Sequence, residues 1–179
     1  MVTVEVHRVI SWPDHACAGR STLSGPALPS ETAPQTPPND GTAARVDMAR
    51  AGRRIGALPH RLLGWLGGDG FPMVAPVAVA AGAGRVMLVT SGAHLPEGGR
   101  RAGLLGHRYE RQLIGLAVRQ HTGWLDVVDG PAEGHYFPQT ERSFRAPANK
   151  TLLLVANGLL AKRGLRAARR IRGPDVTSA

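Results

Sequence analysis

Between Leu62 and Val128 the chain is cut into short apolar runs by glycine turns, and this limits what it can fold into. Two such runs flank Gly67-Gly68-Asp69-Gly70, and a third ends in Thr90-Ser91. The pair Arg100-Arg101 begins nine residues after Ser91. The runs are too short for buried helices and each ends at a residue that turns easily, so the pattern predicts β-hairpins, with Asp-Gly supplying the positive φ of the first turn. The expected strands are Arg61–Leu66, Met73–Ala80, Arg85–Thr90, Gln112–Val118, Trp124–Val128 and Gly134–Phe137, with a turn at Gly82-Ala83-Gly84. Lys150–Ala156 reads as a strand buried on both faces. Pro96-Glu97 is suited to a helix start, giving a short helix through Leu104-Leu105 that its glycines weaken. Six or seven short strands with one or two helices argue for a mainly β fold with flanking helices, a small barrel.

The 179 residues allow one good core. Before the barrel, Val2, Val4 and Val6 alternate with Thr3, Glu5 and His7, so residues 1–13 read as an isolated strand. It either joins the later sheet or closes a preceding barrel that this chain lacks. Residues 14–45 are rich in Pro, Ser, Thr and Ala and read as a linker. Order resumes with a short helix through Met48-Ala49-Arg50 to Gly56, and the barrel domain runs over 46–173. Asn157–Arg172 reads as a helix with Leu160, Ala161, Leu165, Ala168 and Ile171 on one face. Lys162, Arg163, Arg166, Arg169 and Arg170 lie on the other. It is expected to dock on the barrel, and 174–179 to form a frayed tail.

Composition narrows the function classes. The formal charge is +9 and aromatic content only 4%. Lys150 and Lys162 are the only lysines, so the charge is arginine on an Ala- and Gly-rich background. That bias fits tolerant surface sites, and few rings are available to stack single-stranded bases. One cysteine, Cys17, allows no internal disulfide and fits a reducing compartment, so a cytoplasmic location is expected. The run Phe71–Gly84 is too short and too broken by Pro and Gly to span a bilayer. The first thirty residues lack the basic start and apolar core of a signal peptide. No membrane partner is expected. The histidines show no metal-ligand spacing and no Gly-x-Ser-x-Gly elbow occurs, so a metal site is not expected and catalytic residues stay unassigned.

Three segments could carry chemistry. Thr90 and Ser91 at a strand end, followed by Arg100 and Arg101, can offer hydroxyls, backbone N–H groups and bidentate donors to one phosphate. The same residues also fit an ordinary turn and a solvated helix start. In Arg119-Gln120-His121-Thr122-Gly123-Trp124, Trp124 could cover a ring and Gln120 or His121 could bond a cofactor edge; a polar hairpin before a core tryptophan is the plainer reading. The stretch Tyr136–Lys150 reads as a donor-rich loop over a pocket, where Arg142, Arg145 and Lys150 could neutralise an anionic substrate.

The order of these features resembles the pyridoxamine 5'-phosphate oxidase-like family, whose members are flavin-binding split barrels. The run Gly67-Gly68-Asp69-Gly70-Phe71-Pro72-Met73-Val74-Ala75-Pro76-Val77 resembles the family's Asp-Gly-x-Pro-x-x-x-Pro-Val signature. The resemblance covers about 100 residues from Leu58 onward. It implies a split β-barrel that binds FMN or a deazaflavin for two-electron redox chemistry on a small molecule. It implies a homodimer, or a pseudo-dimer if this chain is the C-terminal part of a two-barrel protein; Val2–Trp12-Pro13 looks like such a barrel's closing strand. By position it puts the phosphate on Thr90, Ser91, Arg100 and Arg101, and the ring against the backbone of Met73–Val77. The chain has arginine at both basic positions, where many members carry a lysine. The arginine and histidine set used for pyridoxamine-phosphate oxidation is not found. Two other readings stand beside it: a barrel without cofactor that serves as a binding or assembly module, and an RNA-binding protein using the basic C-terminal helix.

Overall fold

The computed structural model describes residues 3, 5–13, 20–29, 31–82, 85–90, 95–109, 114–128, 130 and 132–171; of these, 81–82, 85–90 and 169–171 are described by their backbone alone. The fold is mainly β, with two sheets and a C-terminal helix. Two compact units divide the chain, one formed by 1–108 with 118–144 and the other by 109–117 with 145–179.

The first unit opens with a two-stranded antiparallel sheet of β1 (Val9–Ser11) and β2 (Thr22–Ser24), in which Ile10 lies opposite Leu23. The expected isolated strand is therefore shorter than residues 1–13 and has a hairpin partner. That partner comes from the stretch expected to be linker, where Thr-Leu-Ser is too brief to show a period. Arg8 ties this segment to the next hairpin, pairing with Asp69 and lying 5.6 Å from the Phe71 ring centroid. The Arg8 guanidinium holds the Asp69 carboxyl below the usual carboxylate range.

Helix α1 (Met48–Gly56) stands where the sequence places it. Asp47 caps it, its carboxylate accepting from the Arg50 N–H at 2.9 Å, and Arg53 and Arg54 occupy the last turn where cations suit the helix dipole. Ala51 and Ile55 are buried. Then come β3 (His60–Leu66), β4 (Pro72–Gly82), β5 (Arg85–Thr90), β6 (Gly98–Arg108), β7 (Ala117–Val127) and β8 (Glu133–Arg145). Strand β3 pairs antiparallel with β4 on one side and with β6 on the other. The sheet of order β3-β4-β5-β8-β7-β6 thus closes on itself as a barrel. The β3–β4 turn is held by the Gly67 N–H on the Phe71 carbonyl at 2.8 Å, and Gly70 adopts the positive φ, 79°, that this turn requires.

Inward residues follow the period of two. Leu63 and Trp65 of β3, Met73, Ala75 and Val77 of β4, Ala102 and Leu104 of β6, Leu125 and Val127 of β7 and Tyr136 of β8 form one core with Leu95 and with Ile55 of α1. Each large aliphatic buried here contributes on the order of 1.5–3 kcal/mol.

Four expected elements are corrected. The helix expected after Pro96-Glu97 is the strand β6, whose residues alternate between buried and accessible. Its glycines serve close packing: a Cβ on Gly99 would sit 2.6 Å from the Trp124 ring, and one on Gly106 would sit 2.6 Å from Ile55. Of the strand expected at Gln112–Val118 only Ala117 and Val118 are strand among the described residues, and they run on without a break into the strand expected from Trp124, as β7, so the polar run 119–123 is strand and not a hairpin; residues 111–113 lie outside the described residues. The loop expected over 136–150 is mostly strand, because β8 continues to Arg145. Finally, Lys150–Ala156 is not a buried strand.

In the second unit, Ala146 N–H bonds the Leu116 carbonyl at 2.7 Å and Gly115 N–H bonds the Pro147 carbonyl at 3.2 Å. Helix α2 (Lys150–Ile171) follows. Asn149 caps it, accepting from the Thr151 and Leu152 N–H groups at 2.9 and 3.3 Å. Leucine and alanine are good helix formers, and with a cap in front the apolar run takes the helical option. Its described side chains from Lys150 to Ala168 are exposed or half-buried.

Candidate functional site

Arg100 is the residue around which a site can be built. Strand alternation turns Arg100 inward with Ala102 and Leu104, and turns its neighbour Arg101 outward into solvent. Arg100 is 0% exposed. Its Nη2 donates to the Glu97 carbonyl at 2.6 Å and the Thr32 carbonyl at 3.1 Å. Nε and Nη1 are buried with no hydrogen-bond partner among the described residues. Burial pushes its pKa down, yet arginine stays protonated in proteins. A buried guanidinium whose acceptors among the described residues are neutral carbonyls is costly unless an anion meets it.

Residues 31–35, expected within a linker, lie over this position. The Gly68 N–H donates to Thr32 Oγ1 at 3.1 Å, the Gln35 N–H to the Gly99 carbonyl at 2.8 Å, and the Arg101 N–H to Gln35 Oε1 at 2.9 Å. Further along, Arg45 N–H bonds the Pro138 carbonyl and Gln139 Nε2 the Gly41 carbonyl, each at 3.0 Å. Prolines limit the freedom this segment loses on docking, and its backbone supplies the bonds. Thr32 was hidden from sequence reasoning because a polar Pro-rich stretch carries no period.

The other expected site residues fall as follows. Val77 and Thr90 are cross-strand partners in β4 and β5. The Val77 side chain belongs to the core and its carbonyl accepts from Arg61 Nε at 3.3 Å. Thr90 is the last residue of β5, and Ser91 lies outside the described residues. Gln120 is exposed on β7. His121 is buried; its Nδ1 faces the Thr140 carbonyl at 3.1 Å, and Nε2 has no hydrogen-bond partner among the described residues. Burial holds the His121 pKa below its ordinary value. Trp124 is buried on the opposite face of β7, against Gly99. So the structure joins Val77 to Thr90, but parts Arg100 from Arg101 and His121 from Trp124. Arg142 and Arg145 lie exposed on β8 and Lys150 begins α2.

Tyr136, the first residue of the stretch expected as a loop over a pocket, is buried in the core instead. Its hydroxyl lies 3.0 Å from the His121 carbonyl and 3.2 Å from that of Ala102, and burial pushes its pKa far up, so it stays neutral. Glu141 accepts from Arg119 at 3.0 Å and Arg54 at 3.4 Å. A cleft of about 100 Å³ is lined by Asp126, Val128, Glu133 and His135. It is well below the roughly 300–1,000 Å³ of ordinary ligand pockets. Among the described residues no three His, Cys, Asp or Glu side chains are grouped to hold a metal ion. No protein-family model matches the sequence, and no curated protein or solved structure is detectably similar to it.

Proposed function

We propose that this chain is a flavin-binding split barrel of the pyridoxamine 5'-phosphate oxidase-like kind. Its ligand is FMN or a phosphate-bearing deazaflavin. The observation that carries the reading is Arg100: a fully buried cation whose Nε and Nη1 lack acceptors among the described residues. A phosphate oxygen is the acceptor that matches a guanidinium fork in shape and charge. The position of Arg100 also supports it, because the third barrel strand ends at Thr90 and Arg100 is the third residue of the next strand. Thr90 and Ser91 would add hydroxyl and N–H donors to the same phosphate. Arg101, facing outward, would contribute no direct bond there. When bound, the flavin ring supplies two-electron redox chemistry; the chain supplies binding, orientation and exclusion of water. A homodimer or pseudo-dimer would complete the ring site.

The test is equilibrium titration with FMN of the purified protein and of Arg100→Gln and Arg101→Ala. A hydrogen bond to a charged group is worth about 1.5–3 kcal/mol. Arg100→Gln is therefore expected to weaken FMN at least tenfold, with Arg101→Ala within about threefold of the parent. Unchanged affinity in a folded Arg100→Gln protein would remove the assignment.

One arrangement favours a second reading, a barrel that binds or assembles without cofactor. The basic pair and the His121/Trp124 pair are each divided between opposite strand faces. Under that reading the folded protein carries no chromophore and takes up no flavin.

A further inference from the structure

The donors of Arg100 are unevenly used. A guanidinium grips a phosphate through an edge that offers two parallel N–H groups, and it has two such edges, Nε with Nη2 and Nη1 with Nη2. Nη2 belongs to both edges and has one N–H for each. It is also the nitrogen that already donates twice, to the Glu97 carbonyl at 2.6 Å and to the Thr32 carbonyl at 3.1 Å. The two nitrogens without acceptors among the described residues, Nε and Nη1, share no edge. Arg100 can therefore hold an anion through two bonds only after one of the carbonyls leaves.

The two carbonyls are held differently. Glu97 immediately precedes β6, the strand that carries Arg100, so its carbonyl is fixed by that strand. Thr32 makes the longer bond and lies 68 residues away in the chain. The segment 31–35 meets the barrel through bonds between neutral groups: Gly68 N–H on Thr32 Oγ1, Gln35 N–H on the Gly99 carbonyl, and Arg101 N–H on Gln35 Oε1. None of residues 31–35 is buried, so no core side chain has to be withdrawn to lift the segment. A hydrogen bond between two ions is about twice as strong as one between neutral groups. A phosphate oxygen thus displaces the Thr32 carbonyl from Nη2 more readily than the one at Glu97.

We infer that residues 31–35 are a latch on Arg100, closed by the Thr32 carbonyl and displaced when a phosphate takes Nη2. This rests on the reading of Arg100 as a phosphate receptor, and not on the flavin attached to the phosphate. Opening is tied to occupancy: the empty protein keeps its cation covered, and the bound one frees the segment.

The test is backbone hydrogen–deuterium exchange of the full chain, alone, with inorganic phosphate and with FMN. A bound ligand ordinarily slows exchange where it touches. Here the N–H groups of Gln35 and Gly68, which the closed latch protects, should exchange at least about fivefold faster at saturation. Two variants loosen the latch without altering Arg100. Thr32→Val keeps the side-chain shape and removes the acceptor of the Gly68 N–H. Gly68→Ala sets a Cβ 2.6 Å from the Glu31 carbonyl oxygen. Each should bind phosphate about three- to tenfold more tightly than the parent, because the ligand has one neutral hydrogen bond fewer to break. Unchanged or slower exchange at Gln35 on saturation, no binding of either ligand, or unchanged affinity in the folded variants would overturn the latch. Opening by phosphate without any binding of FMN would keep the latch and remove the flavin reading. Binding of FMN without opening would do the reverse.

Discussion

Arg100 and Arg101 are adjacent in sequence and face opposite ways, and this one alternation governs how the site reads. The spacing from Thr90 to Arg100 was legible, because a strand end followed by a basic pair needs only turn chemistry to be noticed. The face each arginine occupies was not, because the glycines around them read as a weak helix. Gly99 is in fact small because the Trp124 ring lies against it. His121 gives a prediction at this scale. Burial is the main cause of its lowered pKa, outweighing the Thr140 carbonyl and Glu141, which pull the other way. Above its ordinary 6.5 the ring is neutral folded and unfolded, and stability is at its full value. As pH falls below 6.5 the unfolded chain takes up the proton first, so stability drops until the folded ring also protonates. His107, lowered by burial and by His60, adds the same sign. Denaturant melts from pH 7.5 downward should show stability falling below about 6.5, with a shallower fall in His121→Gln. A fall of unchanged steepness in that variant would show that His121 does not contribute.

At the scale of elements, α1 and the first three barrel strands were readable because their apolar residues keep strict time and their ends carry caps or turns. Strand β5 runs over the very residues expected, Arg85–Thr90. The failures share a cause: each segment had a local signal that favoured one structure and a tertiary contact or cap that decided for another. Strand β6 is sheet because it pairs with β3 over six residue positions, from His60↔His107 to Trp65↔Ala102. In β7 the polar run passes through the sheet with His121 inward and Gln120 outward. The sequence pattern divides α2 into a strand and a helix because Leu-Leu-Leu-Val looks like a buried strand, and the Asn149 cap in front of it decides for helix. That cap is testable. Asn149→Ala leaves two N–H groups of the first turn without a side-chain acceptor and should cost about 0.5–2 kcal/mol of helix stability. Far-UV circular dichroism on heating should show α2 melting earlier. Asn149→Ser should restore most of the loss.

Across the whole molecule, the mainly β class was legible in the sequence, while the structure adds the strand order β3-β4-β5-β8-β7-β6 and the segment over Arg100. Neither can be read from short-range pattern. Strand order depends on which hairpins meet at long range, and 31–35 is held by backbone groups and short polar side chains that leave no periodicity. The central claim is that a barrel with a buried, acceptor-poor arginine receives the phosphate of a flavin. The most direct measurement compares FMN with riboflavin, which has the same ring and no phosphate, by fluorescence titration of the purified protein. The account predicts that FMN binds at least ~10-fold more tightly, the contribution of a charge-assisted phosphate contact. Equal affinities, or no binding of either in a folded protein, would contradict it.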